Sequence, residues 1–168
     1  MTVPIAALGV SQLYLSTEKL ARVRAWLDPA HMPPLPVRDF GNGRLTLTDG
    51  HTRAVAAYLA GLREVPVARD DDPIFEDPDT IREYRTDIAW CDRHGIKSPV
   101  DLAARLVSGR DYEILWDRRC DRGHALIERK GPAPEVPGLY LYGCEPDGSA
   151  FYYEDADGNL YALKREQA

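Results

Sequence analysis

No apolar run in the 168 residues approaches the ~20 needed for a helical membrane span. The N-terminal MTVPIAALGV is apolar but short, and it lacks a basic leading region and a cleavage-site pattern, so no export signal is read there. Cysteine is scarce, with three residues at Cys91, Cys120 and Cys144. An odd number without an export signal argues against a disulfide framework and for a reducing cytoplasm. Positive charge is also in deficit: 21 Lys and Arg stand against 27 Asp and Glu, giving a net charge of -6. Nucleic-acid binders displace counterions with basic surfaces, so this balance argues against nucleic acid as a direct ligand.

What is present suits an ordinary folded protein. Hydrophobic residues make up 44% and charged residues 29%, enough to bury a core without metal or disulfide. The abundance of Ala and Arg hints at a bacterial gene of high G+C content. The most informative stretch is Arg44 to Val67. Arg44 to Thr48 alternates as a strand does, and His51 to Ala60 has helical periodicity with Ala54, Val55, Tyr58 and Leu59 as its apolar side. Gly61 stops that helix, and Glu64 to Ala68 reads as a second strand.

Asp49-Gly50 joins the first strand to the helix. A first helical turn has unpartnered N–H groups and the positive end of the helix dipole, so a phosphate could sit there. Gly50 would permit close approach, Arg53 would supply charge and His51 a further donor. The plainer alternative is that Asp49 caps the helix and Arg53 points to solvent.

The string DGHTR, an alanine-rich helix, AGL and a VPV strand together resemble the core of the ParB/sulfiredoxin superfamily over roughly residues 13 to 69. That resemblance implies a ParB/sulfiredoxin-like core over 1 to 69; the residue patterns beyond it add a helical segment and a C-terminal β-hairpin meander over 70 to 168 packed into the same globule, an α+β fold overall. Members differ at this loop. Sulfiredoxins carry Gly-Cys-His-Arg, which places His51 at the reactive cysteine and argues against sulfinic acid reduction. Chromosome-partitioning members carry Gly-Glu-Arg-Arg followed by a helix-turn-helix, and neither is evident in this sequence. The free serine kinases carry the most similar string.

The resemblance therefore implies a magnesium- and nucleotide-dependent phosphotransferase acting on a small hydroxyl-bearing substrate such as a free amino acid. The nucleotide could be ATP, ADP or CTP. Gly50, His51, Thr52 and Arg53 would cradle the phosphates, and Asp49 would hold magnesium or act as base. Those kinases draw a catalytic Glu from the segment before the motif, which falls on Glu18, the one acid between Met1 and Trp26. A first-turn acid also stabilises its helix without catalysis. The alternative function is a non-catalytic ParB-like nucleotide-binding or DNA-associated regulatory module, with a homodimer left open.

Elsewhere, Leu13 to Leu15 reads as a strand, followed by a helix to Leu27 that would bury Leu20, Val23, Trp26 and Leu27. Val37 to Phe40 and Arg44 to Thr48 form a hairpin across GNG. Asp79 to His94 is helical, Ser98-Pro99-Val-Asp101 is a capped helix start, and a third helix is expected over Asp111 to Cys120. GLYLYGC, SAFYYED and NLYALKR read as a meander turning at PDG and at Asp157-Gly158. Cys91 with His94 and Cys120 with His124 have helical spacings that could assemble a zinc site, but they depart from the usual finger spacing and core and surface roles explain them adequately, so no stoichiometric zinc is expected. The basic residues Arg118, Arg119, Arg122, Arg129 and Lys130 are interleaved with acids, as on a solvated helix face. Residues 154 to 159 imperfectly match a calcium loop.

Overall fold

The computed structural model describes residues 1–117, 120, 136–137, 139–144, 149–154 and 160–164, and its fold is mixed α+β. It divides into two compact units, Met1–Tyr112 and Glu113–Ala168.

The first unit runs β1 (Thr2–Pro4), β2 (Leu15–Ser16), α1 (Thr17–Trp26), β3 (Leu35–Asp39), β4 (Leu45–Leu47), α2 (His51–Leu59), β5 (Glu64–Arg69), α3 (Pro78–Arg93), α4 (Pro99–Leu102), β6 (Leu106–Val107) and α5 (Gly109–Tyr112). Its main sheet has the order β1-β5-β3-β4. The expected hairpin forms, with Val37 opposite Leu47, and Asp39 Oδ1 accepts the N–H groups of Gly41, Asn42 and Gly43 to tie its turn. β5 pairs with β1 antiparallel through residues 64–66 and with β3 parallel through 67–69. Pro66 thus falls where one ladder gives way to the other, a position at which a missing N–H is tolerated. β1, which lacks alternation of its own, is a strand because β5 supplies its partners.

The core is built from Ile5, Leu8, Val10, Leu13, Leu15, Leu35, Val37, Leu47, Val65 and Val67 around α2. The buried run of α2 is Ala54 to Ala57, whereas Tyr58 is half-buried and Leu59 exposed. The expected stripe of Ala54, Val55, Tyr58 and Leu59 is corrected by packing: α1 and α4 both contact α2, and small side chains let them approach from different sides. Ser16 caps α1, its Oγ accepting the Lys19 N–H at 3.2 Å. Leu20 is buried as expected, but Trp26 ends the helix 57% exposed, with Leu27 already extended.

A smaller cluster joins the hairpin to α3. Phe40 and Tyr84 stack with ring centroids 4.8 Å apart, and Phe75 meets both edge-on. Ser98 and Asp101 form the expected capping box at α4. β6 pairs in parallel with β2, so residues beyond 69 complete the first unit.

The helix expected over Asp111 to Cys120 is instead α5, which ends the first unit, and a π-type turn, Glu113–Asp117, which opens the second. The expected meander is present as antiparallel strands β7 (Tyr140–Cys144), β8 (Ala150–Glu154) and β9 (Leu160–Lys164). Ala150, Phe151 and Tyr153 of β8 are buried, with Val136 and Leu139 packed on the two rings. Arg118, Arg119, Arg122, Arg129, Lys130, His124, the PDG turn and residues 155–159 of the acidic turn lie outside the described residues. Among the described residues, no helix is long and apolar enough to cross a membrane.

Candidate functional site

The 49–53 turn sits where β4 feeds α2. Gly50 is the residue before the helix, with φ +77° and ψ 19°, a left-handed conformation that favours glycine. The helix starts at once, as the Ala54 N–H bonds to the Gly50 carbonyl at 2.9 Å. Glycine offers no capping side chain. A Cβ at Gly50 would lie 2.8 Å from Leu35 Cδ2 and 2.9 Å from Arg53 Nη2. The space glycine leaves therefore already seats a core methyl group and the arginine headgroup.

Asp49 precedes the cap and does not form it. Its Oδ2 accepts from Arg53 Nη2 at 3.1 Å, with the carboxylate 79% exposed and the arginine side chain 22% exposed. Arg53 does not point freely to solvent; it folds back over Gly50 and is held by Asp49. Thr52 is half-buried in the same turn.

His51 turns inward. Its side chain is buried, and Nε2 accepts the Ser11 N–H at 3.1 Å, with Ser11 Oγ at 3.4 Å. An imidazole that accepts at Nε2 is neutral and carries its proton on Nδ1. Burial lowers its pKa from 6.5 to about 4, while the Asp49 carboxylate pulls weakly the other way. Ser11 Oγ also donates to the Leu47 carbonyl at 3.1 Å. The preceding segment lies along β4, with the Gly9 N–H bonded to Leu45 O and the Leu47 N–H to Gly9 O. A Cβ at Gly9 would be 2.4 Å from Thr46 Oγ1, so only glycine fits this approach. Thus His51 staples residues 9–11 to the start of α2.

Glu18 is occupied by a different junction. Its Oε2 accepts from Ser16 Oγ at 2.9 Å and Thr17 Oγ1 at 3.1 Å. Hydrogen bonds from the Gly109 backbone, its own backbone N–H and Ser16 hold its pKa at about 2. It fastens the start of α1 to the start of α5.

The residues that sequence reading misses are those brought in from afar. Tyr84 donates to the Thr48 carbonyl at 3.1 Å, and Thr48 Oγ1 donates to Asp70 Oδ2. Burial, then the carboxylates of Asp87, Asp70 and Asp49, push the Tyr84 phenol up to about 12. Ser11, Tyr84 and Asp70 are all distant in sequence from the turn they support, and no local pattern announces them.

Cys91 is buried and His94 exposed at the end of α3, where the imidazole meets Trp90 edge-on at 5.8 Å. Among the described residues no group of three or more His, Cys, Asp or Glu could hold a metal ion. His124 lies outside them. No family model, curated protein or solved structure matches the chain.

Proposed function

We propose that the 49–53 turn binds a phosphate of a nucleotide, within a ParB/sulfiredoxin-like core. The observation that carries this reading is the Arg53 guanidinium folded onto Gly50 at a helix start with no capping side chain. First-turn N–H groups and a guanidinium on one turn are a donor set that fits a phosphate. His51 takes no part as a phosphate donor through Nε2, since that atom accepts from Ser11. Its role is to hold the turn.

Of the two activities implied by the sequence resemblance, the arrangement favours the nucleotide-binding module. Glu18, on which the family's catalytic Glu falls, and His51 are both engaged in structural bonds. The phosphotransferase reading rests on Asp49. Magnesium is commonly held by one or two carboxylates plus the phosphate oxygens themselves, and an exposed carboxylate beside Arg53 fits that requirement.

Calorimetry of the full chain with ATP, ADP and CTP, with and without magnesium, tests the binding. Measurable affinity that falls about tenfold or more in Arg53→Ala is expected, because charge-assisted bonds contribute roughly 1.5 to 3 kcal/mol. Absence of binding by every nucleotide would overturn it. Incubation with magnesium nucleotide and a panel of hydroxy amino acids, read by mass for nucleoside diphosphate release, separates transferase from module. Sedimentation with nucleotide reports whether a homodimer forms.

A further inference from the structure

A concavity lies within the first unit, between the β3–β4 turn and one stripe of α3. It is a cleft open to solvent, with a volume of about 310 Å³, lined by Phe40, Gly41, Asn42, Arg85, Ile88, Ala89 and Asp92. That volume is at the low end of small-molecule sites, roughly 300 to 1,000 Å³. Arg85, Ile88, Ala89 and Asp92 fall at spacings that put them on one face of α3. Phe40 and Ile88 are buried and form an apolar floor.

The polar groups at its rim are unequal. Asp92 is already neutralised, its Oδ1 accepting from Arg44 Nη2 at 3.0 Å. Arg85 is not: its Nε donates to the Phe40 carbonyl at 2.8 Å, and no carboxylate among the described residues forms an ion pair with it. That bond fixes the guanidinium plane and leaves the Nη groups as charged donors. Asn42 Oδ1 accepts the Arg44 N–H at 3.1 Å, which orients the side-chain amide and leaves its NH2 to donate.

We propose that this cleft binds a small organic monoanion, a short-chain carboxylate. The carboxylate lies on the Arg85 Nη groups and the Asn42 amide, and the aliphatic tail lies on Phe40, Ile88 and Ala89. An apolar floor beside an anchored, unneutralised guanidinium selects for a molecule that is charged at one end only, because a second charge would lie against the rings without a partner. Arg85 is exposed and therefore partly solvated, so the affinity is weak, on the order of millimolar. The site is independent of the nucleotide reading and uses none of its residues.

The test is an amide NMR titration of the full chain with butyrate, butyramide, butylammonium and inorganic phosphate at matched ionic strength. Butyrate should move the Gly41, Asn42 and Ala89 signals saturably, and the other three probes should not. Arg85→Met should weaken butyrate about tenfold or more, with the melting temperature lowered only by the loss of the one bond to the Phe40 carbonyl. No saturable shift with butyrate overturns the proposal. So do equal shifts with butyramide, which would deny the charge a role, or with phosphate, which would deny the tail one. Shifts confined to residues 49–53 also count against it. Should Arg85→Met unfold, the comparison of butyrate with butyramide on the wild-type chain decides alone.

Discussion

The Nε2 atom of His51 accepts the backbone N–H of Ser11 at 3.1 Å inside the protein, so a residue read from sequence as a phosphate donor is an internal acceptor. Its ionisation is therefore coupled to folding. The folded pKa is about 4 and the ordinary value 6.5. The unfolded chain binds this proton more readily, and stability present above pH 6.5 is lost as pH falls through about 4. The shift corresponds to about 3 kcal/mol in full. Urea unfolding at pH 7 and pH 5 should show wild type losing stability over that interval. His51→Gln, which can still offer an acceptor but does not titrate, should lose much less. Equal losses would show that His51 is not the group responsible.

Gly50 is required by the fold before any ligand is considered. Its φ of +77° and the 2.8 Å approach of Leu35 Cδ2 to a Cβ position both oppose a side chain. Gly50→Ala should cost about 2 kcal/mol and Gly50→Val more, read as lowered thermal midpoints without ligand. An unchanged midpoint would mean that Leu35 and the turn relax freely. Loss of nucleotide binding in such variants is thus uninformative unless stability is measured beside it.

Asp49 separates the two functional readings. The Asp49–Arg53 pair is largely exposed on the aspartate side, and such pairs contribute about 0 to 1 kcal/mol. Asp49→Asn should leave the melting temperature nearly unchanged and free Arg53 for phosphate. Nucleotide affinity without magnesium should then hold or rise severalfold. A collapse of magnesium-dependent binding or turnover in the same variant would favour the transferase.

Tyr84 links α3 to the residue just before the turn. Tyr84→Phe keeps the stack on Phe40 and removes only the bond to the Thr48 carbonyl, so a loss of about 1 kcal/mol is expected. Tyr84→Ala also removes the ring and should cost about 3 kcal/mol or more by chemical denaturation. Similar losses in both variants would place the energy in the hydroxyl rather than the ring.

Much of the fold is legible along the chain because its causes are local. The hairpin across GNG, the Ser16 cap of α1, the capping box at Ser98 and the alternation of the tyrosine-rich strands act over a few residues, and each appears where the sequence places it. Gly50 before α2 is legible for the same reason. Trp26 and Leu59 were not: an apolar residue near a helix end is buried only if a neighbour reaches it, and both are exposed. β1 was not either, since its pairing comes from β5 across the length of the unit. In the 49–53 turn, the sequence by itself determines which residues stand together, because they are consecutive. Only the tertiary structure decides which way they face: Ser11 draws His51 inward, Gly109 helps occupy Glu18, and Leu35 and Arg53 fill the space above Gly50. Those partners are set by packing between distant segments, and no period or spacing in a single chain encodes them.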